Sequence, residues 1–113
     1  MVGGSAVAGD TSRTAAQREV MEEIGLTIDL SREQPKLTIP FDVGFDDIYT
    51  LVMDVNLSAL TLQESEVQAV RWAGEAEVLA MLADGRFIPY HRAIIELLFA
   101  LRDSRGAHVS RLG

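Results

Sequence analysis

Residues 11–25 constrain the fold most, because they carry complete start and stop signals for one short helix. Thr11 or Ser12 can cap a helix that continues to about Ile24, and Gly25 is suited to end it in the left-handed αL conformation. Apolar side chains recur every four residues along this segment and form a narrow stripe for burial, made up of Ala16, Val20 and Ile24. The sequence therefore predicts an amphipathic helix here.

Three glutamates lie close together on this helix. At 100° per residue, Glu19, Glu22 and Glu23 fall within an arc of roughly 100°. Like charges at these spacings repel by roughly a few tenths of a kcal/mol per pair. Solvent, the neighbouring Arg18 or a bound cation can offset that repulsion. Clustered carboxylate oxygens are hard ligands, and they favour Mg²⁺ or Mn²⁺ over a soft metal.

Composition limits the class of protein and its partners. The chain has 113 residues, of which 48% are hydrophobic, and this predicts one small globular domain over residues 1–105 with a C-terminal tail over residues 106–113. The net charge of −7 argues against nucleic acids and anionic membranes as partners. No apolar run approaches the length of a membrane span. The absence of cysteine suits a cytoplasmic protein.

The rest of the chain mixes strand and helix signals. Two β-rich segments, residues 37–43 and 48–55, read as strands paired through a turn at GFDD, residues 44–47. Further short strands are expected at residues 26–30 and 67–72, and helices at residues 75–84, stopped by Gly85, and 90–102. This order predicts an α/β or α+β sandwich.

The glutamate helix and the loop before it resemble the Nudix box, G-x5-E-x7-R-E-U-x-E-E-x-G-U, in which U is aliphatic. Gly4 is followed after five residues by Asp10, and REVMEEIGL, residues 18–26, fills the remaining positions. Every fixed position matches in type except Asp10, which replaces the usual glutamate and is one methylene shorter. Downstream, LTLQESEVQAVRW, residues 60–72, is similar to a Nudix segment in which an acidic residue precedes a strand ending in Trp.

The resemblance implies a Nudix-like α/β/α sandwich with a mixed sheet. Nudix domains usually carry strands before the box, whereas here the box opens at Gly4, so we expect a domain that is truncated at its N-terminal side. Apolar surface that those strands would cover is a liability in water. We therefore expect a homodimer.

The resemblance also assigns roles to individual residues. It implies that Glu22 and Glu23 bind metal, and that Glu19 is a metal ligand or the general base. Arg18 would hold a glutamate in place through a charge-assisted pair, which its i,i+4 relation to Glu22 permits. The catalytic residues expected on this basis are Arg18, Glu19 and Glu22.

Two further metal ligands are expected outside the helix. The glycine-rich loop permits close backbone approach, so a carbonyl near Gly3 or Gly4 can serve as a ligand. Glu66 is the candidate for the later acidic residue that binds metal or acts as a base in some Nudix proteins, with Glu64 as the alternative.

The function implied is a Mg²⁺- or Mn²⁺-dependent hydrolase that cleaves the pyrophosphate link of a nucleoside diphosphate joined to another group. A non-catalytic Nudix-fold module that binds a nucleotide is the alternative, which Asp10 and the short front end favour. The segments GGSAVAGD and LQESEV also look somewhat like isopentenyl-diphosphate isomerases. That isomerase chemistry relies on a cysteine, which this chain lacks.

Aromatic, histidine and acidic residues outside these motifs have simpler interpretations. Phe41, Phe45 and Tyr49 are expected to pack in the core rather than to line a base-binding pocket. Trp72 is expected in the core or in a pocket wall, and His91 at a helix start or on the surface. Asp46 and Asp47 lie within GFDD and are interpreted as part of its turn.

Overall fold

The computed structural model describes residues 11–65, 67 and 69–102. Its elements are helix α1, Ser12–Ile24; strands β1, Leu37–Phe41, and β2, Gly44–Ile48; a short 3₁₀ helix, Leu57–Ala59; and helices α2, Glu75–Ala83, and α3, Arg92–Leu101. The described residues form two compact units, one with residues 11–49, 53–65, 67 and 69–71, the other with residues 50–52 and 72–102. Helices and an antiparallel hairpin confirm the predicted α+β class.

Local signals set both ends of α1. Thr11 is the N-cap, and its side chain accepts a hydrogen bond of 3.2 Å from the Thr14 N–H, while the Thr14 hydroxyl accepts one of 2.9 Å from the Thr11 N–H. This reciprocal pair is a capping box. At the other end Gly25 adopts φ +68° and its N–H donates to the Met21 carbonyl. The predicted start and end of this helix are confirmed.

The first unit has a small core in which α1 packs on the loop that follows it. Ala15 and Leu30 are the buried apolar residues that the structure describes in this unit. The Leu30 N–H donates to the side-chain carbonyl of Gln17 at 2.7 Å, and the Arg13 side chain donates to the Glu33 carbonyl at 2.8 Å. The predicted stripe of Ala16, Val20 and Ile24 is only half-buried. Residues 26–30 were expected to form a strand and do not.

A mixed sheet was expected, and the sheet that the described residues form is an antiparallel hairpin of strands β1 and β2. Phe41 pairs with Gly44, so the turn is Asp42–Val43 and the prediction of a turn at residues 44–47 was wrong. The Thr38 hydroxyl donates to the Asp47 carboxylate across the strands at 2.6 Å. Such a cross-strand pair favours strand structure despite the low β-propensity of aspartate.

Two other segments that were predicted to be strands do not form them. Residues 49–55 are rich in β-formers, yet none of them lies in a strand. The second segment is residues 67–72, and its described residues, 67 and 69–72, do not form a strand either. Strand propensity depends on a partner that completes the hydrogen-bond ladder, and the structure pairs neither segment with one among the residues that it describes.

The second unit is built on α2 and α3, which pack against each other. Ile95 is its buried apolar residue among those described. Helix α2 matches its predicted bounds within one residue, and Gly85 follows it with φ +84°. Helix α3 begins two residues later than predicted, with an exposed His91 at its N-cap as expected. No helix within the described ranges is long and apolar enough to cross a membrane.

The prediction that large aromatic residues occupy the core was mostly wrong. Phe41 is 51% exposed, Phe45 61% and Trp72 65%. Tyr49 is half-buried, and its hydroxyl lies 2.7 Å from that of Ser12. Phe41 and Phe45 flank the turn of a two-stranded hairpin, and such a hairpin has too little surface to bury side chains on both faces.

Candidate functional site

Helix α1 carries the three glutamates that the sequence singled out. Glu19 lies in the middle of the helix with a side chain that is 20% exposed, and Glu22 lies in the last turn with a side chain that is 52% exposed. Glu23 follows it and is half-buried. Of Glu19 and Glu22, Glu22 therefore has the more accessible carboxylate. It lies in the last turn of a helix that is capped at both ends.

Arg18 contacts two of these glutamates. One terminal nitrogen of its guanidinium donates a hydrogen bond of 3.2 Å to Glu19 Oε1, and Nε lies 3.7 Å from Glu22 Oε1. Arg18 is 31% exposed, so each pair is screened by solvent and contributes less than about 1 kcal/mol to stability. Its effect on geometry is greater, because one planar cation restricts two carboxylates that would otherwise repel each other.

Most of the other residues that the sequence singled out are not among those that the structure describes. Gly3, Gly4, Asp10 and Glu66 lie outside the described residues, so their roles stay predictions. Glu64 is exposed in a turn that directly follows Gln63. Within residues 11–65, 67 and 69–102, no three acidic or histidine side chains converge closely enough to hold a metal ion by themselves.

A later segment of the chain crosses the end of α1. The Gln63 N–H donates to the Glu23 carbonyl at 2.8 Å, and the Thr61 N–H donates to the Ile24 carbonyl at 3.0 Å. The final carbonyls of a helix have no partner within it. Residues 61–63 supply two of those partners, and the Gly25 N–H supplies another by bonding to Met21.

An open groove lies beside Glu22, between the end of α1 and residues 61–63. The groove has a volume of about 530 Å³ and is lined by Met21, Glu22, Gly25, Thr61, Leu62 and Gln63. Its walls therefore combine the accessible carboxylate of the last turn with the segment that caps the helix.

Sequence reasoning singled out residues 60–72 for their acidic residues and missed the contact of residues 61–63 with the helix. Gly25 was the available signal, since a glycine at a helix end can mark both an αL cap and a close backbone approach. The partner in that approach is more than thirty residues away in sequence, and one sequence alone does not identify it.

Comparison with known proteins supports what the sequence motif suggested. A family model described as the NUDIX domain matches residues 1–98. An uncharacterized Nudix hydrolase of Listeria innocua is 46% identical over 105 residues, which cover 93% of this chain and 61% of the relative. A corresponding protein of Listeria monocytogenes is 44% identical with the same coverage.

More distant comparisons add less. Nudix hydrolase 3 of Arabidopsis thaliana is 32% identical over 103 residues, which cover 77% of this chain but 13% of that protein. No solved structure shows significant similarity. The chain spans 61% of the length of each Listeria relative. A family model that matches residues 1–98 of 113 nevertheless establishes that this chain belongs to the Nudix family.

Proposed function

We propose that the protein is a metal-dependent hydrolase that cleaves the pyrophosphate link of a nucleoside diphosphate joined to another group. The observation that carries the proposal is the arrangement on α1, where Arg18 contacts Glu19 and also Glu22, which lies in the last turn of the capped helix. Membership of the Nudix family and the similarity to the Listeria Nudix hydrolases support hydrolysis as the reaction class.

A divalent cation suits the side chains of this helix. They offer carboxylate oxygens, and the chain has no cysteine that would favour a softer metal. Mg²⁺ commonly uses one or two protein carboxylates together with water and substrate phosphates, so three converging protein ligands are not required. The residues that would hold it are Glu19, Glu22 and Glu23, with Gly3 and Glu66 as the expected further ligands. When bound, the cation would neutralise charge on the phosphate oxygens.

The helix residues themselves have distinct tasks in this proposal. Glu22 has the more exposed carboxylate and is suited to bind the cation directly. Glu19 is more enclosed and hydrogen-bonded to Arg18, which suits a group that orients a water or accepts its proton. Arg18 keeps both carboxylates in register and is a positioning residue.

Charge also restricts the substrate. The protein has a net charge of −7, so a diphosphate approaching the glutamates experiences repulsion unless a cation accompanies it. We therefore expect substrate binding to depend on the divalent metal as strongly as catalysis does, with Mg²⁺ and Mn²⁺ as the ions to compare.

The experiment that tests the proposal measures phosphate and pyrophosphate release from a panel of nucleoside diphosphate derivatives. Each substrate is incubated with Mg²⁺, with Mn²⁺ and with EDTA. The proposal expects at least one substrate to be hydrolysed with metal and none with EDTA. Metal-independent turnover, or no turnover on the whole panel, would count against it.

The alternative function is a Nudix-fold module that binds a nucleotide without turnover. The replacement of the usual glutamate by Asp10 favours it, because the aspartate side chain is one methylene shorter. This alternative predicts that a nucleotide raises the melting temperature while the same nucleotide is recovered intact.

We also propose that the protein forms a homodimer. Support comes from apolar side chains exposed in and around the hairpin turn, with Val43 90% exposed between the two exposed phenylalanines Phe41 and Phe45. Burial of these side chains between two copies would remove them from water. Light scattering at micromolar concentration tests this, and a monomeric mass would refute it.

A further inference from the structure

The capping of α1 by residues 61–63 follows a regular pattern. Two N–H groups that are two residues apart, those of Thr61 and Gln63, bond to consecutive carbonyls at the helix end, Ile24 and Glu23. An extended chain directs alternate N–H groups to the same side, so this segment lies against the helix end much as a short strand would lie against a neighbour. The Gln63 carbonyl in turn accepts a bond of 2.7 Å from the Val67 N–H.

Residues 61–63 bond to the last turn of α1, and this turn carries Glu22, the more accessible glutamate. Helix ends open more readily than helix centres, because their carbonyls lack intrahelical partners. Without residues 61–63, the carbonyls of Glu23 and Ile24 would lose the partners that the structure gives them. Glu22 and Glu23 would then be carried on a fraying turn, and their carboxylates would not stay in one geometry.

A second observation shows that this approach is close. A Cβ atom built on Gly25 would lie 3.0 Å from Thr61 Cβ and 3.2 Å from both the nitrogen and the oxygen of Thr61. The segment therefore packs directly on the glycine that ends the helix. It also lines the groove beside Glu22, so its position defines the space next to that carboxylate.

We propose that residues 61–63 form a positioning element for metal binding. Through the N–H groups of Thr61 and Gln63, they hold the last turn of α1, and with it Glu22 and Glu23, in the geometry that binds the cation. This inference rests on the proposed function, since it assigns the segment a role toward the same metal. It differs from a role in folding alone, because it predicts a change in metal affinity in a protein that remains folded.

The test compares proline with alanine at positions 61 and 63. Thr61→Pro and Thr61→Ala both remove the hydroxyl, and Gln63→Pro and Gln63→Ala both remove the side-chain amide. Only the proline variants lose the N–H that bonds to the helix. Mn²⁺ affinity is measured without substrate by electron paramagnetic resonance on the full chain. Amide exchange of Gly25 reports the helix end, and exchange of Leu30, whose N–H bonds to Gln17, reports whether the rest of this unit stays folded.

We expect the proline variants to bind Mn²⁺ about tenfold more weakly than the matched alanine variants, the scale on which supporting groups affect metal sites. Exchange at Gly25 should accelerate while exchange at Leu30 stays unchanged. Equal Mn²⁺ affinity in folded proline and alanine variants would overturn the inference and leave the proposed function intact. If the wild-type protein binds no Mn²⁺, the proposed function and this inference both fail.

A measurement on the wild-type protein keeps the inference testable if the proline variants do not fold. Binding free energies are reciprocal, so a segment that strengthens metal binding must itself be stabilised by the metal. Saturating Mn²⁺ should therefore slow amide exchange at Thr61 and Gln63. Unchanged exchange at both amides, with Mn²⁺ demonstrably bound, would overturn the inference.

Discussion

Gly25 and Thr61 lie so close together that even a methyl group on Gly25 would require Thr61 to move. A Cβ on Gly25 would lie 3.0 Å from Thr61 Cβ, and the glycine has φ +68°. The box glycine thus serves two purposes, since it ends α1 in the αL conformation and lets a distant segment pack on the helix end. Both follow from the absence of a side chain.

Gly25→Ala is expected to destabilise the protein by more than the ordinary cost of a left-handed alanine, which is about 1–2 kcal/mol. The additional cost arises because Thr61 must move away from the new methyl group. Urea unfolding measures the effect. Gly85→Ala is the matched control, because Gly85 has φ +84° but no heavy atom within 4 Å of the added Cβ. Equal destabilisation by the two substitutions would contradict close packing at Gly25.

Thr11→Ala is expected to lower the free energy of unfolding by about 0.5–2 kcal/mol, the usual effect of losing an N-cap side chain. The Thr11 hydroxyl accepts the Thr14 N–H at the start of α1, and alanine cannot do so. Thr11→Ser keeps the hydroxyl and should retain most of the stability. Urea unfolding of both variants measures the difference, and a serine variant as unstable as the alanine variant would refute the capping role.

Tyr49→Phe removes a hydroxyl that lies 2.7 Å from that of Ser12 and is expected to cost about 1 kcal/mol. Ser12→Ala removes the other member of the pair. If the two hydroxyls bond to each other, the double variant should be less destabilised than the sum of the single variants, by roughly 0.5 kcal/mol or more. Strict additivity in urea unfolding would show that the contact contributes nothing.

Asp84, at the end of α2, should make the free energy of unfolding depend on pH. The Arg86 side chain donates to its carboxylate at 2.8 Å and the Arg86 N–H at 3.1 Å, and these bonds lower the pKa of Asp84. Because the folded pKa lies below the unfolded one, the stabilisation is complete above the unfolded value of about 3.9 and is lost as the pH falls through the folded pKa.

Asp84→Asn should therefore be less stable than the wild type at neutral pH, and the difference should shrink in acid. Both proteins are unfolded with urea across the acidic range. Since Asp84 and Arg86 are exposed, the difference in free energy of unfolding between the two proteins is small. The change of this difference with pH is therefore the quantity to compare. A difference that is independent of pH would exclude the carboxylate as its source.

Sequence reasoning succeeded where the signals were local. Thr11 and Gly25 marked the ends of α1 because a capping hydroxyl and an αL glycine act within a few residues of the helix end. Spacing along the same helix brought Arg18 within ion-pair distance of Glu22. The site residues on α1 could therefore be placed on one element before the structure was known.

Prediction from the sequence failed where the contacting segment is distant along the chain, and where polar residues form a strand. Asp46 and Asp47 were interpreted as part of a turn, yet β2 contains both and the Thr38 hydroxyl bonds to Asp47. Such a cross-strand bond offsets the low strand propensity of aspartate. The contact of residues 61–63 with α1 joins positions far apart in sequence. Neither propensity nor periodicity encodes such a contact, so it required the structure.

The measurement that tests the central claim most directly is the metal-dependent hydrolysis rate of Glu22→Gln beside Glu75→Gln. Both substitutions remove one negative charge from an exposed glutamate, but Glu75 lies in the first turn of α2, outside the glutamate helix. Circular dichroism and urea unfolding establish that both variants are folded. Removal of a metal-binding or catalytic carboxylate should lower kcat/KM by about 100-fold or more in Glu22→Gln, while Glu75→Gln stays within about twofold of the wild type. A folded Glu22→Gln variant that hydrolyses the substrate as fast as the wild type would contradict the account.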